Sequence, residues 1–204
     1  RSAGVSINGS SSVDNTLLGY YAGAGGSGAM IGCVAIGSNA MDTTAGNAQT
    51  GTIAIGQSAL TALTSGAGNV AIGYQSQNVI TVGAQNTTLG YDSLALDVGG
   101  KRTTAIGNSA ARQQDGGDTA TNMDNVAIGH AALYYNITGT NNVAIGQGAA
   151  YGSSGQSHSN NVAVGKNALT AITTGANNVA IGSNTGAAIT TTSGTVLIGK
   201  SAGI

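Results

Sequence analysis

Hydrophobic residues in this chain fall into short cells separated by polar, glycine-bearing stretches. The commonest cell reads Asn-Val-Ala-Ile-Gly, and its glycine recurs at Gly19, Gly37, Gly56, Gly73, Gly90, Gly107, Gly129, Gly146, Gly165, Gly182 and Gly199. Successive spacings are 18, 19, 17, 17, 17, 22, 17, 19, 17 and 17, so the unit is 17 residues with a few insertions. Three residues before the glycine every copy is β-branched, from Thr16 and Val34 to Val196; one residue before it stands Ile, Leu or Val. Positions i and i+2 share one face of a strand, so the cell predicts a short strand with its large apolar side chains on one side. The residue between them, alanine in eight copies, points the other way.

A second punctuation mark lies seven residues before the motif glycine, at Gly66, Gly83, Gly100, Gly139 and Gly175. Glycine and asparagine supply the positive φ that tight turns require. Each unit therefore reads as two turns and two short strands, the second carrying pairs such as Leu60/Leu63, Leu133/Ile137 and Leu169/Ile172. Asparagine four before the glycine (Asn15, Asn69, Asn86, Asn125, Asn142, Asn161, Asn178) predicts a side-chain ladder at the turn; Cys33 takes this place in one copy.

Such a unit cannot bury its apolar face alone, but copies stacked at about 4.8 Å can pair backbone with backbone. The prediction is an all-β, parallel β-roll or β-solenoid of about eleven 17-residue coils, a rod on the order of 50 Å long. Residues 1–14 read as a lead-in or partial coil and 15–204 as the solenoid, with the longest insertion near 111–121. If Val and Ile fill the coil, the alanines Ala35, Ala54, Ala71, Ala105, Ala127, Ala144, Ala163 and Ala180 form an outward stripe. An unpartnered apolar stripe of that length calls for a partner, and a parallel homotrimer of identical chains is the expected one.

Composition sharpens this picture. Charged residues are 6%, Pro, Phe and Trp are absent, and Gly numbers 35. An interior rung without an N–H would break the ladder, which accounts for the missing proline. Six Lys and Arg against seven acids leave no basic stripe for nucleic acid or anionic lipid. No apolar run approaches a membrane span, so no membrane insertion is expected in this segment. The start at Arg1 without a methionine reads as a processed piece of a longer chain.

At Asn142-Val143-Ala144-Ile145-Gly146 and Asn178-Val179-Ala180-Ile181-Gly182 the chain resembles the heads of YadA-like trimeric autotransporter adhesins. That resemblance implies a left-handed β-roll trimer. Thr173-Thr174-Gly175-Ala176-Asn177-Asn178, with the Ala168-Leu169 pair after Gly165, is similar to a repeat of bacteriophage tail fibres. The adhesin heads use a shorter repeat, so the 17-residue unit favours the phage likeness. Both imply an extracellular place, on a virion tail fibre or a bacterial cell surface, with structure and receptor presentation as the role.

Enzymatic chemistry has one serious candidate. Ile-Gly-x-x-Ala also fits the hexapeptide of left-handed β-helix acyltransferases, which use a histidine base, but here only one such hexapeptide occurs per unit, and His130 and His158 are the available bases. No Gly-x-Ser-x-Gly elbow is present, and Asp115, Asp118 and Asp124 match no calcium-loop pattern, so they read as solvated loop acids. No catalytic residue, metal or cofactor is expected. If the rod binds a receptor, the contacts belong where the repeat is interrupted. Arg112, Gln113, Asp115 and Asp118 in the longest unit, with Tyr134 and Tyr135 nearby, are the candidates for a surface glycan or protein. The competing reading has the two tyrosines packing against the next coil.

Overall fold

The computed structural model describes residues 12–25, 28–44 and 48–203. Three-residue strands recur once per unit: Thr16–Leu18, Val34–Ile36, Ile53–Ile55, Val70–Ile72, Thr87–Leu89, Thr104–Ile106, Val126–Ile128, Val143–Ile145, Val162–Val164, Val179–Ile181 and Val196–Ile198. They form one 11-stranded parallel sheet in sequence order, each strand bonded to its neighbours in the chain. Registers are in phase with the repeat, Ala144 lying opposite Ala127 on one side and Ala163 on the other. The chain is thus a parallel β-solenoid with one coil per unit. Of the lead-in expected over 1–14, residues 1–11 lie outside the described residues, and Val13 makes a parallel bridge to Ile31.

The second strand of each unit is not a strand. A two-stranded pairing of Met30–Ile31 with Gln49–Thr50 occurs in the early coils. Elsewhere the return path is a run of turns with left-handed residues two and four positions after the motif glycine, such as Ser58 and Leu60, Asn167 and Leu169. The left-handed residues aim their N–H groups out of the coil, the one two after the glycine toward the coil before and the one four after toward the coil after. Gly148 N–H donates to His130 of the coil before (3.0 Å), and Ala150 N–H to Ala168 of the coil after (2.8 Å). The turn run is therefore bonded coil to coil as the strands are, leaving few orphan backbone groups.

The faces of the strand are the reverse of the sequence expectation. Ala35, Ala54, Ala71, Ala105, Ala127, Ala144, Ala163 and Ala180 are fully buried inside the coil, and the flanking Val and Ile look outward. The outward alanine stripe, and a trimer packed on it, are therefore overturned. The reason is volume. Leu60, Leu133 and Leu169, with Leu63, Ile80 and Ile172, already fill the thin lumen from the turn side, which leaves the facing strand room for a methyl group only.

The motif glycine marks the closest backbone approach. Gly146 has φ +128°, and a β-carbon on it would stand 2.7 Å from the Gly165 carbonyl carbon and oxygen; Gly129, Gly165 and Gly182 repeat the geometry. No side chain fits this column from Gly19 to Gly182.

The asparagine ladder exists and runs inside the coil. Asn142 Oδ1 accepts from the Asn161 N–H (3.0 Å) of the next coil, and its Nδ2 donates to the His158 carbonyl (2.8 Å). Asn69, Asn86, Asn125, Asn161 and Asn178 make the same pair of bonds one coil onward. Each amide satisfies one buried donor and one buried acceptor, which is why the fully buried polar column is tolerated. The Cys33 N–H donates to Asn15 Oδ1 (2.9 Å), and its thiol, instead of an amide, continues the run to the Gln49 carbonyl.

Candidate functional site

Three features of the surface and its supports bear on function: an apolar sheet face, the interrupted coils around the longest insertion, and an aromatic cluster with a groove beside it.

The apolar face is built by the outward residues of the strands. Leu18, Leu89, Ile145, Ile181, Val196 and Ile198 are exposed, and most of the remaining Val and Ile are half-buried by their neighbours along the ladder. Eleven rungs of two side chains make a face about 50 Å by 10 Å, on the order of 500 Å² in projection, near the upper end of what monomers leave uncovered.

The insertion forms a compact loop with a short 3-10 turn at Gly117–Thr119. Its interior support is a buried polar knot. Asp97 Oδ1 accepts from the N–H groups of Gly100 (2.7 Å) and Gly116 (2.9 Å), and Oδ2 from Gln114 (2.9 Å). Gln114 also donates to Thr103 Oγ1 and accepts from Asn125 Nδ2. It bridges the place where Thr103 interrupts the asparagine ladder. Burial raises the Asp97 carboxyl above the usual range, against the downward pull of Gly116, Gln114 and Gly100. Outside the knot, a groove of about 230 Å³ is lined by Asp115, Gly116, Gly117, Thr121, Met123 and Thr138.

The predicted contact residues divide between these places. Arg112 is held by Asp92 (3.3 Å) and donates to the Tyr134 hydroxyl (3.4 Å). Burial lowers the guanidinium, but Tyr134 and Asp92 outweigh it and leave it raised, so it is a fixed cation. Tyr134 and Tyr135 meet edge to face at 4.7 Å. Asp115 instead caps its own loop, accepting from Gly117 N–H (2.9 Å), and Asp118 is exposed on the 3-10 turn. Gln113 is half-buried and bonds Tyr134 through its backbone. The structure therefore gathers Arg112, Tyr134 and Tyr135, and leaves Asp115 and Asp118 to the loop.

It also adds a residue that the sequence reading passed over. Tyr151 stacks on Tyr134 (5.2 Å between ring centroids, 17° between planes) and meets Tyr135 edge-on at 5.2 Å. Tyr134 and Tyr151 both stand five residues after a motif glycine, so the repeat register was the signal for their stacking. Burial raises the Tyr151 phenol, with Tyr135 and Tyr134 adding to it. Beside this ring lies a groove of about 250 Å³ lined by His130, Ala131, Gln147, Gly148, Tyr151, Asn167 and Thr170.

The two histidines differ in setting. His130 is exposed at the rim of this groove. His158 is buried in the coil beside Gly152, and burial lowers its pKa to about 4. Among the described residues no three His, Cys, Asp or Glu side chains come together as a metal-holding group, and no helix is long and apolar enough to cross a membrane. Compared with models of protein families, with curated proteins and with solved structures, the chain matches none.

Proposed function

We propose that this chain is the structural and receptor-presenting rod of an extracellular fibre, non-catalytic, and self-associated in parallel as a homotrimer. The observation that carries the reading is the outward face of Val, Ile and Leu running along the ladder, interrupted only by Thr16, Thr87 and Thr104. A rod with that face uncovered would associate, and identical chains in phase match rung to rung. The interface moves from the alanines to their strand neighbours, Ile145 and Ile181 among them. The 17-residue unit and the likeness of Thr173-Thr174-Gly175-Ala176-Asn177-Asn178 to tail-fibre repeats favour a phage tail fibre over a bacterial adhesin head.

Replacing Ile145 and Ile181 by Glu tests the interface. The double variant is expected to keep its sheet signal in circular dichroism and to fall from trimer to monomer in light scattering. An unchanged trimer, or a monomeric parent, would overturn the assembly. Peptide mapping of the source particle on both sides of residues 1–204 separates the two biologies: a virion-attachment or self-cleaving chaperone sequence means a tail fibre, and a coiled-coil stalk leading to membrane strands means an adhesin.

A further inference from the structure

We propose that the groove beside Tyr151 is a binding site for one neutral hexopyranose ring of a cell-surface glycan. The inference deepens the receptor-presenting reading by giving it a place and a ligand class, and three rows of the repeat produce it.

The first row stands five residues after the motif glycine. Arg112, Tyr134, Tyr151 and Thr170 occupy it in consecutive coils, so the tyrosine stack ends at Tyr151, and its next neighbour is a short hydroxyl residue. One face of the Tyr151 ring is covered by Tyr134, and Tyr135 braces its edge. Toward Thr170 no aromatic ring continues the stack. A flat aromatic surface held by two others is a ready platform for the C–H face of a sugar.

The second row lies two after the motif glycine. Where neighbouring coils carry Asp92, Ser109 and Asn184, this stretch carries Ala131 and Gly148, and the missing side chains open the floor. Gly148 cannot be enlarged without meeting Asn167, whose Oδ1 would stand 2.8 Å from a β-carbon there. The third row, one after the motif glycine, supplies His130 and Gln147 at the rim, both exposed. With Asn167 and Thr170 they offer amide, imidazole and hydroxyl groups, the donors and acceptors that sugar hydroxyls need. No carboxylate, Lys or Arg is among the lining residues, which selects a neutral sugar over an acidic or phosphorylated one. A volume of about 250 Å³ lies below the roughly 300–1,000 Å³ of sites for drug-sized molecules. One ring fits it, with the rest of a glycan running along the rod.

Saturation-transfer NMR on the intact assembled protein with glucose, galactose, mannose and N-acetylglucosamine, each at roughly 10 mM to suit millimolar affinity, tests this. At least one sugar is expected to show transfer to its ring C–H protons. Thr170→Tyr extends the tyrosine stack over the open face and should abolish the signal while leaving melting and oligomeric state unchanged. Tyr151→Ala should weaken binding about tenfold or more, and Tyr151→Phe should keep it. Tyr91→Ala removes an exposed ring that stacks on Tyr74 away from the groove and should have no effect. Absence of transfer for all four sugars, or transfer that survives Thr170→Tyr, overturns the site. Neither result touches the fibre reading, which stands or falls on light scattering of the Ile145 and Ile181 variant.

Discussion

Leu197 lies over Gly203 so closely that a β-carbon on the glycine would stand 2.6 Å from Leu197 Cδ1. At the other end of the rod Leu17 lies over Gly23 in the same relation, with Cδ2 at 2.7 Å. In both coils the middle residue of the strand is leucine where most copies have alanine, and the residue four after the motif glycine is glycine where Leu60, Leu94, Leu133 and Leu169 stand in other coils. Gly186, the third glycine at that place, also lies against Leu197, whose Cδ1 would stand 3.2 Å from its β-carbon. The middle residue and the turn residue therefore compete for space in the same lumen. At Thr88, the remaining exception, the hydroxyl meets polar residues of the coil before, Ser76 and Gln77.

The shared volume predicts a rescue. Ala163→Leu overfills the coil opposite Leu169, with which it shares the core, and should cost about 1–3 kcal/mol. Adding Leu169→Gly should recover most of that loss. Leu169 has φ +51°, where glycine relieves backbone strain as well as crowding. Denaturant melts of the two single variants and the double variant form the cycle; additive losses would mean that the two positions do not face each other.

Glycines of the repeat should differ sharply in tolerance. Gly146→Ala puts a β-carbon against the Gly165 carbonyl at a φ outside the left-handed helical region, and should cost more than about 3 kcal/mol. Gly194 has φ +72° with nothing within 4 Å of the added carbon, so Gly194→Ala should cost about 1 kcal/mol. Equal shifts in melting would argue against the close glycine column.

The ladder predicts which amides weaken. Asn142→Ala leaves the Asn161 N–H and the His158 carbonyl without partners, an expected loss of about 2–4 kcal/mol. Hydrogen exchange at the Asn161 amide should accelerate beyond what the global loss explains. Protection unchanged at that amide would show that the side-chain bond is dispensable.

Acid should loosen the coil around His158. Its folded pKa of about 4 lies below the ordinary 6.5, so the folded state favours the neutral ring. The associated stability is fully present above about pH 6.5, declines as pH falls and levels off below about 4. The full span is on the order of 3 kcal/mol. Comparing pH-dependent melts of the parent with His158→Gln isolates it; matching slopes between pH 6.5 and 4 would remove His158 as the cause.

Much of the architecture was written in the spacing. Recurrence of the motif glycine determined the coil length, the in-phase parallel register and the position of the insertions, because stacked backbones must repeat together. The asparagine ladder was legible for the same reason. Alternation in Val-Ala-Ile established only that alanine and its neighbours face opposite ways; which way was inside depended on how much space the turn residues left across the lumen. Leu17 with Gly23 and Leu197 with Gly203 carried that information in the sequence, as paired departures from the repeat. The turn-rich return path hides left-handed residues such as Leu60 and Leu169, where propensity alone would not place leucine; coil-to-coil hydrogen bonding and burial hold them there. The groove at Tyr151 was decided by tertiary structure, since residues of successive units, such as His130, Gln147 and Asn167, become neighbours only once the coils stack.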